Sequence, residues 1–164
     1  MKCLKLILTA TVLICQLHVQ SQVFLVQSIL DEFFVEADVM TKMQQTGYRT
    51  TSLSSLPSEI STPMKKLTNY LDENLRKAKK MYFINENDGS VFLCGIENGY
   101  FAYGVNFFMG NEYAVQRIKE MFIAGDLSFD HEENGISYYM DGEDAGALVG
   151  KLENDMVMVG YFEP

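Results

Sequence analysis

Nucleophilic chemistry in this chain would depend on few residues, because the sequence holds three cysteines and two histidines. Cys94 lies within the apolar run 90–96 (SVFLCGI), where a buried thiol is usually unreactive. His131 stands between Asp130 and Glu132, in a segment typical of a solvated acidic loop. No G-x-S-x-G motif is present, so neither a Cys–His nor a Ser–His–Asp set stands out. These patterns favour a protein that is not an enzyme.

The segment 130–141 has the spacing of oxygen ligands found in a calcium-binding loop. Oxygen-bearing side chains occupy its positions 1, 3, 5 and 12, and glycine occupies position 6. The flanking sequences, however, show the alternation of strands rather than the periodicity of helices. A hairpin loop accounts for the whole segment, so we expect neither a metal nor a cofactor. The candidate ligands, should calcium bind, are Asp130, Glu132, Asn134 and Asp141.

Aromatic residues are concentrated in the second half of the chain, with seven tyrosines and eight phenylalanines in residues 82–164. Successive residues of a strand point to opposite faces of a sheet, so these rings cannot all face one core. Tyrosine combines an apolar ring with a polar tip, which suits ligand pockets and interfaces. We therefore expect a small apolar or aromatic ligand, or a protein partner, on a sheet face rich in tyrosine and methionine. The candidate residues are Tyr100, Tyr103, Tyr138 and Met140.

Acidic residues outnumber basic ones by 22 to 13, and the net charge is −9. This balance argues against nucleic acid as a partner, because phosphates require a basic surface. Residues 81–164 alone carry a net charge of −12, which would attract a basic partner. An acidic interaction module of the inhibitor or immunity type is therefore an alternative function. A hydrolase that uses carboxylates within 130–144 is a second alternative.

The first 21 residues have the pattern of a signal peptide. Lys2 and Lys5 precede the apolar stretch 6–15 (LILTATVLIC), which is well short of the ~20 residues that span a membrane. We expect cleavage after Ser21, export to a periplasm or the extracellular space, and no transmembrane segment. The mature chain would keep Cys94 as its one cysteine and carry a net charge of −11.

The mature chain, residues 22–164, is predicted to form one α+β domain. Apolar spacing of three and four residues predicts helices at 24–46 and 63–80. The region 81–164 alternates with a period of two between Asn-Gly and Asp-Gly turns, and one helix interrupts it at 111–124. We expect the two N-terminal helices to pack on a curved, largely antiparallel sheet of about seven strands.

The predicted strands are apolar on both faces, and such strands require cover on both sides. We expect helices to cover one face, and a curled sheet, a ligand or the second subunit of a homodimer to cover the other. The helix at 63–80 is basic, which leaves contact with a membrane surface open. Residues 48–62 are rich in serine and threonine and are predicted to form a connection between the two helices.

Overall fold

The computed structural model describes residues 36–74, 78–142, 145–152 and 155–162. These residues form one eight-stranded sheet with three helices. The helices are α1 (Glu36–Gln45), α2 (Ser58–Asn74) and α3 (Glu112–Ala124), with a short 3-10 turn at Leu53–Ser55. The strands are β1 (Tyr48–Thr51), β2 (Lys79–Asn85), β3 (Val91–Glu97), β4 (Tyr100–Met109), β5 (Ser128–Glu133), β6 (Ile136–Asp141), β7 (Ala145–Lys151) and β8 (Met156–Phe162).

The sheet consists of two antiparallel four-stranded units that meet in its centre. The strand order is β1-β2-β3-β4-β8-β7-β6-β5, and every neighbouring pair is antiparallel. Each unit therefore follows the same plan: one helix (α1 or α3) and then four consecutive strands. The central strands β4 and β8 pair from Tyr103↔Phe162 to Met109↔Met156. The 3-10 turn and α2 form an insertion between β1 and β2 of the first unit, where the second unit has only a two-residue turn between β5 and β6.

The first face of the sheet is covered by α1 and α3. Asn111 begins α3, because its side-chain oxygen accepts hydrogen bonds from the backbone N–H groups of Tyr113 and Ala114. The helix then presents an apolar stripe to the sheet, and Phe122 packs edge-on against Tyr139 and Tyr161. Apolar side chains from both helices thus share one core with β2, β3, β4 and β6–β8. The helix residues in this core are Val39, Met43, Ala114, Val115, Ile118 and Phe122.

The second face of the sheet is covered by α2 and the residues just before it. Leu56, Met64 and Leu67 are buried in a second core that lies on the opposite side of the strands. Tyr103 is 1% exposed in this core. A side chain at Gly95, on the neighbouring strand, would overlap the ring of Tyr103. The glycine therefore leaves the space that the tyrosine ring occupies, a common way to pack an aromatic residue across a sheet.

Several sequence predictions are confirmed. The protein combines helices with an antiparallel sheet, and the predicted helix at 111–124 is α3. Asn98-Gly99 and Asn134-Gly135 both have positive φ at their two residues, as two-residue hairpin turns require. A separate finding concerns the described residues only, which exclude 1–35: no helix among them is both long enough and apolar enough to cross a membrane.

Other predictions need correction. The helix predicted at 63–80 runs from Ser58 to Asn74. It begins earlier because the carbonyl oxygen of Pro57 accepts hydrogen bonds from the N–H groups of Ile60 and Ser61. Its predicted last residues, Lys79 and Lys80, instead begin β2 and pair with β3.

The predicted helix at 24–46 and the predicted number of strands also differ from the structure. The described part of the first helix covers Glu36–Gln45, and residues 24–35 lie outside the described residues, as does the predicted signal peptide at 1–21. The described sheet has eight strands rather than seven, because β1 forms within the predicted connection. Helices lie on both faces of the sheet, not on one.

Candidate functional site

A cleft of about 660 Å³ lies between α2 and the second face of the sheet, over β6, β7 and β8. Ligand sites in proteins usually have volumes of ~300–1,000 Å³, so this cleft has room for a small molecule. One wall comes from the first three turns of α2, and the floor comes from the sheet. The lining residues are Ser58, Glu59, Thr62, Pro63, Lys66, Leu67, Glu133, Asn134, Ile136, Tyr138, Lys151, Leu152 and Met158.

The helical wall is built by sequence spacing. Glu59, Thr62, Pro63 and Lys66 follow one another at steps of three, one and three residues, which places them on one face of a helix. Leu67 continues this face and is buried in the second core. The wall is therefore polar towards the opening and apolar where it meets the sheet.

The floor of the cleft is apolar. Ile136, Gly150 and Met158 lie side by side on β6, β7 and β8. Gly150 has no side chain, and atoms of Ile136 and Met158 lie 3.3 and 3.1 Å from the position its Cβ would take. The side chains of Ile136 and Met158 therefore approach each other over Gly150. Tyr138, two residues further along β6, extends the apolar floor and is 5% exposed.

The ring of Tyr138 is restrained by His131, which lies on the edge strand β5. The two residues are register partners on β6 and β5, and their rings stack with centroids 4.5 Å apart and an angle of 7° between their planes. The Nδ1 atom of His131 lies 2.7 Å from Oδ2 of Asp130, which restrains the imidazole in turn. A β-bulge at Asp130 breaks the alternation of β5 between Phe129 and His131 and brings His131 opposite Tyr138.

Two lysines and two glutamates line the cleft, and their surroundings differ. The amine of Lys151 lies 3.5 Å from Oε1 of Glu112 and 3.5 Å from Oδ1 of Asp155. Lys66 makes no ion pair with any carboxylate in the described part of the chain. The carboxylate of Glu59 accepts a hydrogen bond of 3.2 Å from the hydroxyl of Ser58. Of the two cleft lysines, Lys66 is therefore the one without a carboxylate partner among the described residues.

The four candidate ligand-binding residues occupy different places. Tyr138 lines the cleft. Tyr103 and Met140 belong to the same core of the second face, Tyr103 buried and Met140 half-buried. Tyr100 lies beside the Asn98-Gly99 turn and is 60% exposed. The structure therefore brings Tyr103, Tyr138 and Met140 to one face of the sheet, and of the four only Tyr138 reaches the cleft.

The candidate calcium ligands do not converge. Asp130 and Glu132 lie on β5, Asn134 lies in the turn, and Asp141 ends β6. The five residue steps from Ile136 to Asp141 extend over about 16 Å at ~3.3 Å per residue, so Asp141 is far from the turn. Within the described ranges, no three acidic, histidine or cysteine side chains group closely enough to hold a metal ion.

The carboxylates of the same hairpin are exposed to solvent. Glu132 accepts a hydrogen bond of 3.0 Å from Ser137 and lies 3.7 Å from the amine of Lys119. Asp130 contacts His131, and Asp141 is exposed at the end of β6. Glu143 and Asp144, the last two acids of the range named for the hydrolase alternative, lie outside the described residues.

Sequence reasoning missed the helical wall of the cleft. Ser58, Glu59 and Thr62 fall before the predicted helix start at 63, and Met158 and Lys151 do not stand out from other strand residues. The signal that could have found the wall is the spacing of Glu59, Thr62 and Lys66, which becomes one helical face once the helix begins at Ser58.

Comparisons with known proteins reveal no family for this chain. No protein-family model matches this chain, and neither the curated proteins nor the solved structures show a significant similarity to it.

Proposed function

We propose that the mature chain is an exported, non-enzymatic binding protein that holds a small apolar or aromatic ligand in the cleft between α2 and the sheet. The observation that carries this proposal is the cleft itself, about 660 Å³ in volume with Ile136, Tyr138 and Met158 in its floor. An apolar floor with a polar opening is the usual design of a small-molecule site, because the floor drives binding and the opening orients the ligand.

The placement of Cys94 and His131 supports a binding rather than a catalytic role. Cys94 is fully buried in β3, and His131 lies on the edge strand β5. Five strand spacings of ~4.8 Å separate these two strands, about 24 Å in all, so the two side chains cannot act as a nucleophile and its base.

The binding proposal can be tested by blocking the cleft. Thr62 is exposed and lines the opening, so Thr62→Trp should fill it without disturbing either core. Asn69→Trp, at an exposed position of α2 outside the cleft, is the matched control. The probe is N-phenyl-1-naphthylamine, an uncharged apolar fluorophore, and its fluorescence reports binding.

We expect the unmodified protein and Asn69→Trp to bind the probe with the same affinity, and Thr62→Trp to bind at least tenfold more weakly. Equal binding by both variants would place the probe elsewhere and overturn the proposal. Native mass spectrometry of the purified protein adds a direct reading of any retained small molecule and of a homodimer.

Export can be tested separately. The full chain, expressed in a secreting host, should appear outside the cytoplasm with Gln22 as its first residue. An intact leader on protein recovered from the cytoplasm would contradict the proposed export without touching the cleft.

A second candidate function, an acidic interaction module for a basic partner, is favoured by β5. Every residue of this strand is exposed, and it lies at one end of the strand order. Asp130, Glu132 and Glu133 make it acidic, and an edge strand can accept an extended peptide by backbone pairing. An alternating Lys-Val heptapeptide should bind more weakly as the salt concentration rises. The Glu133→Lys variant should bind this peptide more weakly than the unmodified protein does. Salt-independent binding would contradict this role.

A further inference from the structure

The helical wall of the cleft carries opposite charges at its two ends. Glu59 and Lys66 both line the cleft and lie seven residues apart on α2. Seven residues of an α-helix rise about 10.5 Å, or roughly two turns. Thr62 and Pro63, which carry no charge, lie between them. The wall therefore offers a carboxylate at one end and an ammonium at the other.

The cleft as a whole is close to electrically neutral. Lys66 and Lys151 are balanced by Glu59 and Glu133 in the lining. Lys151 is further compensated by Glu112 and Asp155, each 3.5 Å from its amine. A ligand with a large net charge of either sign would meet a like charge, whereas a ligand with one charge of each sign can match Glu59 and Lys66 together.

The cleft also offers apolar side chains. Ile136, Tyr138 and Met158 line it together with the charged helical face, so a bound molecule would contact apolar surface as well as the two charges. An extended chain spans at most ~3.3–3.6 Å per residue, so the ends of a tripeptide lie about 10 Å apart. This separation matches the rise between Glu59 and Lys66.

We propose that the cleft binds a short zwitterionic peptide of about three apolar residues, with its ammonium group at Glu59 and its carboxylate at Lys66. The assignment rests on the proposed binding function and names the ligand class. The apolar side chains of the peptide pack on Tyr138 and Met158, and the two terminal charges set its direction along α2.

The experiment compares three forms of one probe by calorimetry: the tripeptide Leu-Phe-Leu with free ends, with an acetylated N-terminus, and with an amidated C-terminus. Exposed charge pairs contribute little each, so removal of either terminal charge should weaken binding about three- to fivefold. Sodium decanoate serves as the competing class, an anionic amphiphile with no ammonium group.

Two variants test which residue of the cleft binds which end of the peptide. Lys66→Gln should abolish the effect of amidation and preserve the effect of acetylation, and Glu59→Gln should do the reverse. Lys65→Gln changes an exposed neighbour outside the lining and should behave like the unmodified protein.

The outcomes separate this inference from the binding function on which it rests. If N-phenyl-1-naphthylamine binds in the cleft but free and blocked tripeptides bind equally, or decanoate binds more tightly than the tripeptide, the peptide assignment is overturned and the binding function stands. If neither the fluorophore nor the peptides bind, both proposals fail. Loss of both end effects in Lys65→Gln would also overturn the assignment.

Discussion

His131 and Tyr138 stack almost parallel, with ring centroids 4.5 Å apart and 7° between the ring planes. Tyr138 belongs to the floor of the cleft, and His131 belongs to the exposed edge strand β5. The stack therefore links the edge of the sheet to the site in which we place the ligand.

Removing the imidazole should loosen Tyr138 without unfolding the protein. We expect His131→Ala to weaken binding of N-phenyl-1-naphthylamine about two- to fivefold, because the tyrosine ring loses the surface that restrains it. His131→Phe keeps a flat ring and should retain the affinity of the unmodified protein. Fluorescence titration measures both, and equal affinities for the two variants would show that the strands alone hold Tyr138.

The stability of the fold should fall at high pH because of Tyr48. Burial, with a smaller contribution from the charge of Asp88, raises the pKa of Tyr48 to about 12 against the lowering effect of its hydrogen bonds to Ser90 and Asn106. The folded state thus favours the neutral phenol. The stabilisation is fully present below pH 10, the unfolded value, and is lost as the pH rises from 10 to 12. A shift of this size corresponds to about 2–3 kcal/mol.

Tyr48→Phe tests this dependence. The variant lacks the hydroxyl that lies 2.6 Å from Oγ of Ser90, so it should be about 1 kcal/mol less stable at pH 8. Its free energy of unfolding should then change less between pH 10 and 12 than that of the unmodified protein. Urea unfolding at several pH values measures both slopes, and identical slopes would show that Tyr48 does not titrate with folding.

The close approach of Tyr103 to Gly95 should make that glycine hard to replace. A methyl group there would overlap the tyrosine ring, which is buried and has little room to move. We expect Gly95→Ala to lower the free energy of unfolding by about 1–3 kcal/mol. Gly125→Ala, where the nearest atom would be at an ordinary 3.4 Å, should change it by less than ~1 kcal/mol. Thermal unfolding compares them, and equal midpoints would mean that the Tyr103 ring shifts freely.

The start of α3 should depend on the side chain of Asn111. Its Oδ1 accepts hydrogen bonds of 3.0 and 3.3 Å from the N–H groups of Tyr113 and Ala114. Asn111→Ala removes this cap and should cost about 1 kcal/mol, whereas Asn111→Asp keeps an acceptor and should be nearly neutral. Chemical denaturation separates the two. Similar losses for alanine and aspartate would show that the amide, not the cap, is what matters.

The sequence predicted best where the signal was local. The helix at 111–124 carries its own cap, apolar stripe and terminal glycine, and the hairpin turns carry Asn-Gly pairs that favour positive φ. The start of α2 was missed because Pro63 resembles the first residue of a helix, whereas the helix begins directly after Pro57. Strand β1 was missed because its four residues are polar except for Tyr48, and the hydroxyl of Tyr48 is hydrogen-bonded to Ser90, 42 residues away in the chain.

The distinction between local signals and contacts of distant segments also holds for the candidate site. Composition and alternation alone determined that tyrosines would face both sides of an antiparallel sheet and that Cys94 would be buried. Which tyrosine meets a cleft was decided by the tertiary structure, because it depends on the pairing of β4 with β8 and on the side of the sheet where α2 packs. Those contacts join segments that are far apart in the chain. The spacing of apolar residues indicates only on which face of a helix or strand a residue lies, and not which element packs against that face.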